Sequence, residues 1–463
     1  ALERCHQQRE RLALAAGERR DLRGQAGLKA EAETAEQLAV LLLFLLRHAP
    51  GKTAALAAAE CGASVLLCER LRQFGTKLLA SGGSKCNISN TLEADAFLEA
   101  FGREGRFMKP ALDIAYHDWL FPFLKSRNVP LKCDDSFHYF PRSERARDIL
   151  SAFSGAIREH GGTMKTEAEI QHISVNDGAV SGVIFRDGAM TGCRSVVLAG
   201  GGTAWSTLGG GRYGLDLAVE LGHTLSPPLP AMAPLLIREP WVHALTGISL
   251  PDAELSFRCG RRTFRNRGEL LFTHSGLSGP CAIDLAGDLA EGCLKSHADI
   301  PLLLIPDAAK ERSFWQSELA AWRKTDGRKQ AHTLLSRHLP RALAEHLCAD
   351  AGCGERKLCE LPSSAAERLL SLLTGIPLTA SGAGPIDKAM AMKGGIKLRE
   401  IQPDTLESRR VHGLYFAGEI MDLTGPCGGY NIQWALSSGR LAGLSAARRG
   451  THAFTPAEPE QIR

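Results

Sequence analysis

The stretch from Leu414 to Gly443, LYFAGEIMDLTGPCGGYNIQWALSSGRLAG, constrains the fold more than any other part of the chain. Its apolar start reads as a short buried strand that ends at Gly418, and Glu419 follows at once. A glycine-rich turn, Gly425 to Gly429, then runs into a helix that begins near Asn431 and carries small residues along one face. A strand that delivers a carboxylate and then exposes backbone N–H groups at a helix start suits a ligand with hydroxyls and phosphates. Such a stretch needs a partner elsewhere in the chain.

The partner is sought near the amino terminus. From Leu38 to Leu46 the residues are continuously apolar, as a buried strand of a parallel sheet requires. Gly51 opens a helix whose Ala54 to Ala59 run permits close packing, and Gly62 ends it. Ala63 to Cys68 is a second strand, with Glu69 at its carboxyl end. Together these form a βαβ unit of dinucleotide-binding length, with an acid placed to accept hydrogen bonds from a ribose. Its glycine fingerprint is incomplete. With Gly51 as the third glycine of G-x-G-x-x-G, Leu46 and His48 hold the other two positions, where glycine permits the tight turn and the close pyrophosphate approach.

At 463 residues the chain makes two or three domains, and 44% hydrophobic with 23% charged residues is a soluble globular balance. A formal charge of +4 gives no support to nucleic acid or an anionic membrane as the main partner. The 13 cysteines are odd in number and include no C-x-x-C pair, which implies a reducing cytoplasm rather than a disulfide framework. Cys348, Cys353 and Cys359 cluster at a spacing that fits no usual zinc site, so no metal is expected. The Leu38 to Leu46 run has about half the residues of a membrane-spanning helix.

Residues 1–36 read as an atypical extension that offers little to a core, and residues 37–222 as the first part of a nucleotide-binding domain. Within it, Lys77 to Asn90 (KLLASGGSKCNISN) is a polar glycine loop able to bind an anion, through backbone N–H groups near Gly82 and Gly83 and through Lys77 or Lys85. Residues 91–160 look mainly helical, and Asp-Gly turns at 177–178 and 187–188 signal hairpins. SVVLAGGGTAW then returns the chain to the first sheet at Ser195 to Leu198, with a glycine turn over Ala199 to Gly202. Residues 223–307 read as a β-rich inserted domain, 308–378 as a helical insertion, 379–450 as the final part of the nucleotide-binding domain, and 451–463 as a polar tail.

KLLASGGSKCNISN, VVLAGGGTAW, GELLFTHSGLSGP (Gly268 to Pro280) and the opening stretch together resemble the FAD-dependent oxidoreductases that include aminoacetone oxidase and a bile-acid dienone reductase. The likeness covers about residues 53–447. It implies an α/β fold: a Rossmann-like FAD-binding domain of the glutathione-reductase type, interrupted by a β-barrel-like domain and a small helical domain. It also implies, by position, that Gly51 and Glu69 serve the dinucleotide, Glu69 through the adenosine ribose. Lys77, Gly82, Gly83, Cys86 and Asn87 would lie along the flavin or its diphosphate, and Ala199, Gly200 and Gly201 would form a crossover near the cofactor. Gly418 and Glu419 would contact the ribityl or diphosphate region. Gly429, Tyr430, Asn431 and Gln433 would surround the isoalloxazine at the helix start, whose positive end favours the anionic reduced ring. The chain departs from the family at Ser84, usually glycine there, and at Leu46 and His48.

The expected chemistry is hydride transfer between a small organic substrate and FAD, with oxygen or NAD(P)H as open choices for the second half-reaction. The motifs give no support to a separate nicotinamide domain. His274, in a glycine-flanked loop, is the candidate proton donor or acceptor, against the alternative of a locally satisfied histidine. Cys86 reads as a packing or flavin contact rather than a redox thiol, and Tyr430 as a wall of the site. Two other readings stand beside this one: a non-catalytic relative that lost FAD with its phosphate loop, and a flavin-dependent RNA-modifying enzyme.

Overall fold

The computed structural model describes residues 42–45 and 49–451. Leu42–Leu45, Val65–Cys68, Thr163–Lys165, Ser195–Leu198 and Leu414–Phe416 form one five-stranded sheet, and every neighbouring pair is parallel. Leu42–Leu45 is central, with Ser195–Leu198 and then Leu414–Phe416 on one side and Val65–Cys68 and then Thr163–Lys165 on the other. All four residues of Ser195–Leu198 and all three of Leu414–Phe416 are buried. This is why those runs are continuously apolar rather than alternating, apart from Ser195, whose Oγ donates to the Ala446 carbonyl at 3.4 Å. The described part of the first strand, Leu42–Leu45, lies within the Leu38 to Leu46 run; 38–41 and 46 lie outside the described residues.

The helix Ala49–Glu60 packs along the long carboxy-terminal helix Tyr430–Thr451. Small residues on both make the approach close. A Cβ at Gly439 would lie 2.1 Å from the Pro50 carbonyl oxygen, and one at Gly443 2.2 Å from that of Ala54. Glycine inside a helix costs about 1 kcal/mol relative to alanine, so its place here follows from packing rather than propensity. The contact also carries the start of the first helix to the strand end at Gly418, where the site forms.

The hairpin signals hold: Ile170–Asn176, Ala179–Phe185 and Met190–Gly192 make an antiparallel meander. Between 94 and 159 the chain is mostly helical, with short strands at Leu131–Lys132 and His138–Pro141. The inserted β-domain is a closed six-stranded barrel of Leu235–Ile237, Ser249–Cys259, Arg262–Thr273, Gly276–Ser278, Ile300–Ile305 and Ile376–Ala383. Its last strand follows the helices Arg312–Leu373, so the helical segment interrupts the barrel. Residues 379–383 therefore belong to the barrel rather than to the returning nucleotide-binding segment. Leu225–Ala231 pairs antiparallel with Ala391–Ile396 and joins barrel to sheet. Among the described residues no helix is long and apolar enough to cross a membrane, and no cluster of three or more His, Cys, Asp or Glu could hold a metal ion.

Candidate cofactor and active site

Gly418 follows the strand Leu414–Phe416 by one residue, with φ 74°, a region that glycine enters without strain. A Cβ there would lie 2.7 Å from Pro50 Cγ, so glycine lets the strand end meet the start of the first helix. The Gly418 N–H donates to Ser438 Oγ at 3.0 Å. Glu419 then bridges two distant segments: Lys77 Nζ donates to its Oε2 at 2.7 Å and the Met392 N–H to its Oε1 at 2.9 Å. The Lys77 and Glu419 side chains are only 11% and 16% exposed, so each charge depends on the other. Met392 in turn fills the space at Gly202, where a Cβ would fall 2.5 Å from its sulfur. This draws the buried crossover Ala199, Gly200 and Gly201 to the same place.

The Lys77 to Asn90 loop passes through left-handed backbone at Gly82 (φ 54°), Gly83 (64°), Ser84 (72°) and Cys86 (63°). Ser84 thus holds by force a conformation that glycine adopts freely. The loop is fastened to the carboxy-terminal turn. Asn90 Nδ2 donates to the Gly428 carbonyl at 2.9 Å, and the Asn87 amide, turned to suit its neighbours, accepts the Gly429 N–H at 3.1 Å. A Cβ at Gly429 would sit 2.5 Å from the Ser89 carbonyl, so the two loops touch backbone to backbone. From the helix side, Asn431 Oδ1 accepts the Gly425 N–H at 2.8 Å, while its Nδ2 donates to the Gly425 carbonyl at 2.9 Å.

At the opposite end, Glu69 is 1% exposed and its Oε1 accepts the Leu71 N–H at 2.9 Å. Next to the buried Gly51, Lys52 places its amine in the interior with no hydrogen-bond partner among the described residues, 4.7 Å from the Phe74 ring centroid. Burial pushes that amine down to about 7, against the opposing pull of Glu69. Leu46 and His48 lie outside the described residues.

Two expected site residues, Gln433 and His274, stand apart from this cluster. Gln433 is fully buried and donates to the Ala115 carbonyl (3.1 Å) and Ser437 Oγ (3.0 Å), so it ties the helix to its neighbours instead of lining the glycine turn. His274 is exposed on the turn between Arg262–Thr273 and Gly276–Ser278, where the adjacent Ser275 carbonyl accepts the Ile237 N–H of the barrel; the structure does not bring it to the cluster. Tyr430 packs into an aromatic group with Phe97 (5.1 Å), Phe101 (6.0 Å) and Phe137 (6.3 Å). Cys86 is buried, and burial pushes its thiol up to about 12, which leaves it a neutral packing group.

Two groups beside the glycine turn escaped the sequence reading. Asp284, from the barrel, accepts the Cys427 N–H at 2.7 Å, and burial pushes its carboxyl up to about 6. Asp135 and His138 pair at 2.5 Å, with His138 beside Gly428. Only the i,i+3 Asp-His spacing of DSFH signals the second pair. No local pattern marks Asp284.

A parallel sheet whose first βαβ unit ends in a buried acid, joined to a carboxylate strand and a glycine turn at a helix start, defines an FAD-binding oxidoreductase. The chain belongs to the HI0933-like Rossmann-domain family, whose sequence profile matches residues 48–445. The 3-dehydro-bile acid delta(4,6)-reductase of Clostridium scindens is 29% identical over 410 residues, covering 87% of this chain and 97% of that one. The ribosomal RNA dihydrouridine synthases of Haemophilus influenzae and Escherichia coli are 27% and 29% identical, covering 84% and 82% of this chain and 94% and 91% of theirs.

Proposed function

We propose that this protein is an FAD-dependent reductase that saturates a carbon–carbon double bond conjugated to a carbonyl in a small organic substrate, with NAD(P)H as electron donor. The observation that carries the cofactor half of this reading is the meeting of Lys77, Glu419, Met392 and Gly418 with the start of the first helix. A helix start, left-handed glycines and a buried charge pair form a donor set suited to a ribityl diphosphate, so these residues fit FAD. The substrate half rests on the names of the relatives. A delta(4,6)-reductase of a 3-dehydro bile acid and a dihydrouridine synthase both saturate a double bond in conjugation with a carbonyl.

When bound, FAD supplies the two electrons as a hydride. The remaining work falls to the chain. Glu69 would accept the adenosine ribose hydroxyls, with Gly51 beside it. Lys77, Gly82, Gly83, Cys86, Asn87, Gly418 and Glu419 would follow the diphosphate, ribityl and ring edge. Ala199, Gly200 and Gly201 would form the crossover, and Gly429, Tyr430 and Asn431 would close the ring end. Asn431 and Asn90 both hold the glycine turn, against which a substrate would stand.

RNA as substrate is the second reading, favoured by the names of the two dihydrouridine synthases; a formal charge of +4 over 463 residues favours the small molecule. The test is anaerobic. NADH or NADPH should bleach the flavin of the purified protein, and a cyclic enone should restore its colour with formation of the saturated ketone. Restoration by unmodified ribosomal RNA and by no enone in a broad panel would replace the first reading with the second.

A further inference from the structure

We propose that the Asp135–His138 pair is the proton-delivery site of this protein, with His138 Nε2 donating to the substrate carbon next to the carbonyl; this rests on the reductase reading above. Hydride addition to a conjugated double bond leaves an enolate, and a positioned acid must complete the product. The expected donor, His274, is away from the cluster, and Cys86 is a neutral buried thiol. His117 is stacked on Tyr116 and Phe121, with its Nε2 2.9 Å from Ser89 Oγ. His138 alone among these has a ring nitrogen facing the glycine turn.

Three contacts set its geometry. Asp135 Oδ1 accepts the N–H groups of His138 (2.7 Å) and Phe137 (3.0 Å), so a local turn fixes the carboxylate before it meets the ring. Its Oδ2 lies 2.5 Å from His138 Nδ1. The His138 N–H and ring and the Phe137 N–H hold the Asp135 carboxyl well below the usual carboxylate range, so it stays ionised. An ionised partner holds the proton on Nδ1 and so leaves Nε2 as the exchanging nitrogen.

Nε2 faces Gly428. A Cβ at that residue would lie 3.2 Å from it, so the missing side chain leaves room at the donor atom. Gly428 has φ 113° and its carbonyl accepts Asn90 Nδ2, while Asn90 pairs with His138 across the small sheet. The dyad is therefore locked to both loops of the site. The His138 side chain is 34% exposed, which gives it a route to solvent for reprotonation.

The step balances. The β carbon takes the hydride and its electron pair, and the π electrons move to the enolate oxygen. A C–H bond forms at the α carbon as the His138 Nε2–H bond breaks, and the neutral imidazole recovers a proton from water. Reduced nicotinamide is the terminal reductant, so substrate, NAD(P)H and one proton give saturated product and NAD(P)+.

The test uses the holoprotein with His138→Gln, Asp135→Asn and Asp284→Asn variants, and with His138→Asn should glutamine disturb folding. His138→Gln should slow reoxidation by the enone about 100-fold or more, while FAD content and reduction by NADPH are unchanged. Asp135→Asn, at a positioning residue, should lower kcat about tenfold at constant KM. A second readout is binding of 4-nitrophenol, whose phenolate resembles the enolate. His138→Gln should weaken phenolate binding about tenfold. Enone turnover at the wild-type rate in His138→Gln, or a loss confined to Asp284→Asn, overturns the proposal. A wild type that NADPH reduces and no enone reoxidises refutes the reductase reading instead. Phenolate binding then decides for the dyad alone: weakened binding supports it and unchanged binding overturns it.

Discussion

The two ends of the cofactor site are built on the same plan and finished differently. At the carboxy-terminal end, Lys77, Met392, Glu419, Asn87, Asn90, Gly429 and Asn431 tie three distant segments together by hydrogen bonds of 2.7 to 3.1 Å. At the amino-terminal end, the βαβ unit keeps its strand, helix and acid, yet Leu46 and His48 replace two glycines, and Lys52 buries an amine with no hydrogen-bond partner among the described residues. The difference teaches where each end gets its shape. The carboxy-terminal end is held by the protein's own contacts, whereas the amino-terminal end leaves a polar group for something else to satisfy.

The comparison can be broken most directly at Gly429. With φ 84° and a Cβ that would lie 2.5 Å from the Ser89 carbonyl, Gly429→Ala forces the loops apart. Loss of bound FAD and destabilisation of about 3–4 kcal/mol are expected, read by flavin absorbance per chain and by denaturant unfolding. Next is Lys77→Met, which removes the 2.7 Å ion pair from the buried Glu419 carboxylate. A loss of about 3 kcal/mol is expected, with part of it recovered in a Lys77→Met/Glu419→Gln double variant.

Lys52 sharpens the contrast in the opposite direction. Its folded value of about 7 lies below the ordinary 10.5, so between those values the unfolded chain binds more protons than the folded one, and stability rises with pH. Lys52→Met should raise the stability of flavin-free protein by about 2 kcal/mol at pH 7 and flatten the rise toward pH 10. Unchanged stability and an unchanged pH slope would show that the amine is well satisfied. The smallest effect is expected at Ser84, where glycine relieves the φ of 72°. Ser84→Gly should gain about 0.5–1 kcal/mol by thermal unfolding, the relief of left-handed strain exceeding the entropy that glycine adds to the unfolded chain.

What could be read in the sequence was local. The strand, carboxylate, glycine turn and helix of 414–443 announce themselves because each neighbour in sequence is a neighbour in space. Glu419 and Lys77 each stood out alone; their pairing spans 342 positions, which no periodicity encodes. Gln433 was misplaced for a geometric reason. Two residues beyond Asn431, it falls about 200° around the helix, on the face packed against Ala115. The barrel's last strand, Ile376–Ala383, was hidden behind the helices that precede it. Asp284 and the Asp135–His138 pair come from elements that look generic until the fold sets them beside Cys427 and Gly428.

The central claim is that these segments converge to hold FAD. Its most direct measurement is the visible absorbance of the purified full chain, with FAD released by denaturation and counted per polypeptide. The account predicts yellow protein with about one FAD per chain, or colourless protein that takes up one FAD on reconstitution. Protein that stays colourless with saturating FAD, while folded by circular dichroism, would contradict it and leave the non-catalytic relative as the better description.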